Sequence, residues 1–163
     1  MPATVTINEK NGVGEVATDK TLGAIRYQSI DSAAVDLNNP IDIPAAGSVF
    51  SFQKYLRATA GGTFTQLSNA RFYTGGAGDA FSAGIDTWVK AVAAYATPVQ
   101  ETDSATYADM FSYTSAAPLS LGAGPFTSLG EFGDYVVSAA EVSSTASSGV
   151  ETAKTITFGW DEI

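Results

Sequence analysis

The sequence predicts an all-β fold, an antiparallel β-sandwich or jelly-roll-like barrel. Three observations carry this expectation. Roughly seven or eight short segments alternate apolar with polar residues or are rich in β-branched and aromatic ones. Gly, Pro, Asn and Ser turn signals separate them at intervals of about 8 to 15 residues. No long stretch has helical periodicity, and no strand–helix–strand rhythm appears. At 163 residues the chain is long enough to bury one substantial core.

Taken in order, Thr4, Val5, Thr6 and Ile7 alternate and predict a short strand. Residues 8–20 (NEKNGVGEVATDK) are polar, punctuated by glycine and poor in large apolar side chains. Residues 1–20 are therefore expected to form an extended N-terminal arm. Such an arm orders on assembly by adding a strand to a neighbour's open sheet edge, which would bury Val5 and Ile7 there. Residues 21–163 are read as a single β domain.

Residues 22–30 (LGAIRYQSI) predict a strand, and residues 31–46 a loop. Pro40 and Pro44 fix φ and remove backbone donors, which excludes a central strand and predicts an extended connector. Residues 48–59 alternate well, with Phe50, Phe52, Lys54 and Leu56 on one side and Val49, Ser51, Gln53, Tyr55 and Arg57 on the other. Gly61-Gly62 ends that run, and residues 63–73 follow as the partner expected of an antiparallel hairpin. Residues 75–84 read as a loop; the alanines of residues 87–95 would allow a helix, but Trp88, Val89, Val92 and Tyr95 among flanking Gly and Pro favour a strand ending at Thr97-Pro98. Residues 104–111 suggest one short helical turn capped by Ser104 or Asp103. Residues 119–121, 135–142 and 155–160 are further strands. The last is the clearest, since Ile156, Phe158 and Trp160 alternate with Thr155, Thr157 and Gly159. Residues 143–149 (SSTASSG) are expected to be an exposed hairpin loop before it. The expected core comprises Phe50, Phe52, Leu56, Phe72, Val137, Ile156 and Phe158, which lie on the most regular alternations.

Composition narrows the chemistry. The chain has no cysteine and no histidine, which excludes a disulfide framework, a Cys/His zinc site, a thiol nucleophile and an imidazole base. Metal binding would need oxygen ligands, and no Asp-rich calcium loop is present to organise them. With 17 acidic against 8 basic side chains the formal net charge is -9, so phosphate-backbone affinity and a nucleic-acid partner are not expected. Only 15% of residues are charged, and the polar surface is drawn instead from Ser, Thr, Asn and Gly. No apolar run reaches the roughly 18 residues of a membrane span, and the opening residues lack a basic, then apolar, leader pattern. The chain is expected to be made in the cytoplasm, without a membrane partner.

Candidate sites are few. Gly75-Gly76-Ala77-Gly78 and Gly122-Ala123-Gly124-Pro125 lack the Lys and Ser/Thr of a phosphate loop and read as turns. Asp79 with Asp86, Glu101 with Asp103, and Glu131 with Asp134 could supply the paired carboxylates of a glycosidase, but the reading preferred for them is solvated loop acids. Arg57 and Arg71 are expected to pair with carboxylates across strands. Tyr107, Phe111, Tyr113 and Phe126 lie in irregular sequence and form either a loop packed on the sheet or a partner-binding patch. No catalytic residue and no cofactor is expected.

The succession NPIDIPAAGSVFSFQKYLR (39–57), FTQLSNARFYTG (64–75), AYATPV (94–99) and the terminal TITFGWDEI resembles small virion structural proteins of tailed bacteriophages. The likeness spans nearly the whole chain. It implies a non-enzymatic, β-sandwich-like head decoration or cement protein on the virion surface. Its partner would be the major capsid protein, and its assembly a homotrimer or another small ring. Two other readings stay open: a tail structural protein, and a lectin-like carbohydrate-binding sandwich.

Overall fold

The computed structural model describes residues 2–163. It is all-β, with antiparallel sheets packed together as a β-sandwich. Among the described residues the strands are β1 (Ala3–Asn11), β2 (Val16–Asp19), β3 (Ser48–Phe50), β4 (Lys54–Gly62) and β5 (Leu67–Thr74). They continue with β6 (Ile85–Val92), β7 (Ala108–Asp109), β8 (Leu119–Ser120), β9 (Gly130–Ser143) and β10 (Ile156–Glu162). The larger sheet runs β2-β1-β4-β9-β6-β7, with β3 also paired to β9, and the smaller runs β10-β5-β8. No helix of the described residues is long and apolar enough to cross a membrane.

The expected N-terminal arm is corrected here, apart from Met1, which lies outside the described residues. β1 pairs with β4 in a continuous register from Ala3↔Gly62 to Lys10↔Tyr55, so it is an interior strand of the protein's own sheet. Its alternation faces Ala3, Val5 and Ile7 into the main core and buries Glu9 fully. The tetrapeptide that looked too short to fold alone is extended by Glu9, a charged residue whose partners come from elsewhere in the chain.

β4 carries the longest part of the expected strand at 48–59, but that run is broken. Residues 51–53 interrupt the strand because only Ser51 keeps its backbone N–H on β9, while those of Phe52 and Gln53 are taken by two other segments. Ser51 donates to Ala140 O at 2.8 Å, Phe52 to Gln28 O at 3.0 Å and Gln53 to Val99 O at 2.9 Å. The expected Gly61-Gly62 hairpin does not form either. Both glycines stay within β4, and a Cβ on Gly62 (φ 79°) would stand 3.3 Å from Pro2 O and Thr4 N. The following residues carry the chain across to the other sheet, where β5 pairs with β10 and β8. Residues 143–149 likewise join strands of different sheets rather than closing a hairpin.

Residues 22–30 are not a strand. They belong to an irregular segment, residues 20–46, laid over the inner face of the larger sheet. The short 3-10 turn near residue 110 is capped by Asp109, whose side chain accepts the Phe111 N–H at 2.9 Å. Ser104 and Asp103 serve an earlier turn, where Ser104 O accepts from Tyr107 N–H and Asp103 Oδ1 from Ala105 N–H.

The main core lies between the sheets and gathers Leu56, Leu67, Phe72, Val89, Phe111, Phe132 and Val136. Of the expected core, Phe50, Leu56, Phe72 and Val137 are buried, whereas Phe52, Ile156 and Phe158 are half-buried. Val137 points the other way, into a second cluster with Tyr55 and Tyr135 on the outer face of the larger sheet.

Candidate functional site

A cleft of about 1000 Å³ lies between the two sheets and their irregular flanks. Its floor includes Ile7, Leu56, Phe72, Ala140, Ile156 and Phe158, and its walls are residues 20–43 and 147–156. At the mouth Leu22 is 102%, Leu37 81% and Val150 81% exposed, with Val35 also in solvent. Three large aliphatic side chains standing nearly free on two neighbouring segments form an apolar rim of a kind that marks a contact surface.

These walls are irregular but tied down. Lys20 Nζ donates to Ala33 O at 2.6 Å and Ala24 O at 3.1 Å. Gln28, itself buried, donates to Ala34 O at 2.9 Å and accepts the Asp36 N–H at 2.6 Å. The Asp36 carboxylate accepts from Asn38 N–H and Asn39 Nδ2, which holds its pKa below the ordinary value. A backbone that lacks ladder bonds is thus satisfied by side chains, so the rim is presented on a defined path.

Behind the cleft the inner face of the larger sheet turns polar. Glu9 and Lys54 are both fully buried, and Lys54 Nζ donates to Glu9 Oε1 at 3.0 Å and to Ser32 O at 2.6 Å. Lys20 Nζ lies 3.7 Å from Glu9 Oε2. Nearby, the Tyr27 hydroxyl donates to Ser138 Oγ at 3.0 Å, and burial pushes its pKa up to about 12. Two strands and the irregular segment are joined through one carboxylate. Removing either buried partner would leave an uncompensated charge.

The outer face carries an aromatic cluster. Tyr55 meets Tyr95 and Tyr135 edge-on at 5.1 and 6.0 Å between ring centroids. Tyr95 donates to Gly12 O at 2.6 Å, and Tyr135 donates to Glu15. Arg57 stacks over the Tyr135 ring at 4.4 Å and Lys90 over Tyr107 at 3.9 Å. Burial, then neighbouring carboxylates, raise Tyr95 and Tyr135 to about 12. Tyr107 rises further, through burial and its hydrogen bond to Glu101. Glu131 is pushed up by burial, but Lys10, Arg57 and Tyr135 outweigh this and hold it below its ordinary value.

The residues singled out from sequence are dispersed. Thr4, Val5, Thr6 and Ile7 lie on β1 inside the larger sheet. Tyr107 belongs to the outer-face cluster. Phe111 is core, edge-on to Phe81 at 5.9 Å, and Tyr113 and Phe126 are half-buried against the same core, Phe126 5.4 Å from Phe132. They do not form one patch. Arg57 pairs with Glu131 at 3.2 Å and Arg71 with Asp161 at 2.9 Å, each to the neighbouring strand. Glu101 accepts from Gln53 and Tyr107, and Glu131 is held by two cations, which ties both acids into structural bonds. Among the described residues no group of three or more carboxylates gathers as a metal site.

Sequence reasoning missed the cleft rim and the buried Lys54–Glu9 pair. One signal for the latter was present: Lys54 shares its alternation face with Phe50 and Leu56. No protein-family model, no curated protein and no solved structure matches this chain.

Proposed function

We propose that this chain is a non-enzymatic virion structural protein. It would be a decoration or cement protein that binds the outer lattice of a bacteriophage capsid as a homotrimer and stiffens the head. The observation that supports this reading is the apolar rim of Leu22, Leu37 and Val150 on tied-down segments of a β-sandwich, a surface suited to burial against another protein. Burying apolar area there contributes roughly 25 cal/mol per Å². A single contact of that kind is modest, but repetition over a symmetric lattice, with copies linked in a ring, multiplies it into firm attachment. The acidic surplus, 17 against 8, keeps free copies apart in solution until they dock. The sequence likeness to phage virion proteins points the same way.

The test is co-sedimentation with empty shells assembled from the major capsid protein of the same genome. The protein is expected in the pellet, and the pair of changes Leu22→Ser and Leu37→Ser, both largely in solvent, should release it while leaving the thermal melt unchanged. A wild-type chain that stays in the supernatant with shells sinks the proposal. Retention on tail tubes or on a polysaccharide resin instead would move the chain to one of the other two classes.

A further inference from the structure

The buried pair Lys54–Glu9 has a third member. The β1–β4 register ends with Lys10 opposite Tyr55, so Asn11 and Lys54 are the next residues on the two strands, Asn11 on the same face as Glu9. Glu9 Oε1 accepts from Lys54 Nζ at 3.0 Å and from Asn11 Nδ2 at 3.4 Å, so the amine and the side-chain amide converge on one carboxylate oxygen. Glu9 Oε2 makes no hydrogen bond and has only the Lys20 ammonium 3.7 Å away, and Asn11 Oδ1 is buried with no hydrogen-bond donor. Asp31 fixes the amide from the far side, accepting Asn11 Nδ2 at 2.6 Å and the Gly12 N–H at 2.7 Å. A buried amine, a carboxylate touching it, and a side-chain amide on that same carboxylate are the elements of intramolecular acyl transfer.

We propose that Lys54, Glu9 and Asn11 form a self-modifying site that closes an isopeptide bond between Lys54 Nζ and Asn11 Cγ, tying β1 covalently to β4. In the step itself Glu9 takes a proton from the Lys54 ammonium it touches, leaving a neutral amine and a neutral acid at the moment of attack. The amine attacks Asn11 Cγ while the acid proton polarises the orphaned Oδ1. The Cγ–Nδ2 bond then breaks, and Nδ2 leaves as ammonia carrying the transferred protons. In sum, one ammonium and one primary amide become one secondary amide and one ammonium ion, and Glu9 returns to its carboxylate. No oxidant, metal or second substrate enters. Proximity supplies the acceleration, because both partners are strand residues held in place by the fold. This site is independent of the attachment surface.

The decisive measurement is the mass of the full-length protein after denaturation, followed by tryptic peptide mapping. The chain is expected to be lighter than its sequence by one ammonia. Trypsin should leave Lys54 uncut and release a branched peptide in which it is joined to the peptide beginning at Asn11. Asn11→Ala and Glu9→Gln should each restore the full mass and the linear peptides. Full mass in the folded wild-type chain overturns the proposal. So does ammonia loss with linear peptides, the product of ring closure within Asn11-Gly12. A linked Glu9→Gln protein would overturn the role given to Glu9. If that variant fails to fold, the wild-type map and the Asn11→Ala mass still decide the question.

Discussion

Phe72 on β5 and Phe158 on β10 meet edge-to-face with their ring centroids 5.6 Å apart, directly across the register of the smaller sheet. The two rings differ in burial: Phe72 is fully enclosed by the main core, and Phe158 is half-buried at the cleft floor. Phe72→Ala is therefore expected to cost about 3–5 kcal/mol, and Phe158→Ala less, about 2 kcal/mol. Urea unfolding of the two variants checks the order. Equal losses would mean that Phe158 is as enclosed as its partner.

Deleting residues 1–11 should abolish folding rather than only assembly. β1 lies between β2 and β4, and its loss would expose the β4 edge and strand Lys54 without Glu9 in a buried site. Breaking a buried pair alone costs about 3–5 kcal/mol, a large share of a small domain's stability. A truncated chain with a native far-UV spectrum and dispersed amide resonances would refute the role given to β1.

Stability should fall on both sides of neutrality. Glu131 and Asp161 have folded pKa values below their unfolded ones, Glu131 through Lys10 and Arg57 against its burial, Asp161 through Asn69 and Arg71. Such groups contribute fully above the ordinary carboxylate range, and the contribution disappears as pH falls through the lowered values. Glu131→Gln should flatten this acid limb in thermal melts. The tyrosines act oppositely: Tyr27, Tyr95 and Tyr135 are raised from 10.0 to about 12. Their contribution is complete below pH 10 and is lost as pH rises through about 12. A melting temperature that stays level across this alkaline window would contradict the buried tyrosine cluster.

Gly84, just before β6, has φ 86°, and a Cβ there would stand 2.6 Å from the Ala146 N and 2.8 Å from its Cα. Both clashes are with backbone, which cannot swing aside. Gly84→Ala should destabilise by at least about 1–3 kcal/mol, read from chemical denaturation. A neutral result would show that residues 143–149 move freely away from this turn.

Much of the local character of the protein was legible in its residues. Period-two alternation marked where β4 and β10 would run, apolar segments between turn signals marked β5, β6 and β9, and Leu56 and Phe72 were placed in the core. The alternation also set Lys54 beside Leu56 on the apolar side, the one trace of the buried ion pair. The lack of Cys and His by itself rules out thiol, imidazole and Cys/His zinc chemistry. Alternation says which residues share a face, but not which sheet owns the strand or which of its two faces is the deeper one. Val137 sits on a regular strand, yet faces the outer tyrosine cluster. Gly61-Gly62 has the composition of a turn, yet is held within β4 by β1. The segment 22–30 is apolar enough for a strand, but its carbonyl neighbours are claimed by Lys20, Lys54 and Gln28. The cleft rim was equally hidden, since Leu22, Leu37 and Val150 stand together only when distant segments fold beside one another. Backbone hydrogen bonds are the same for every residue except proline, so strand partners are chosen by which pairing buries the most apolar surface and leaves no charge alone. That is a property of the whole folded chain.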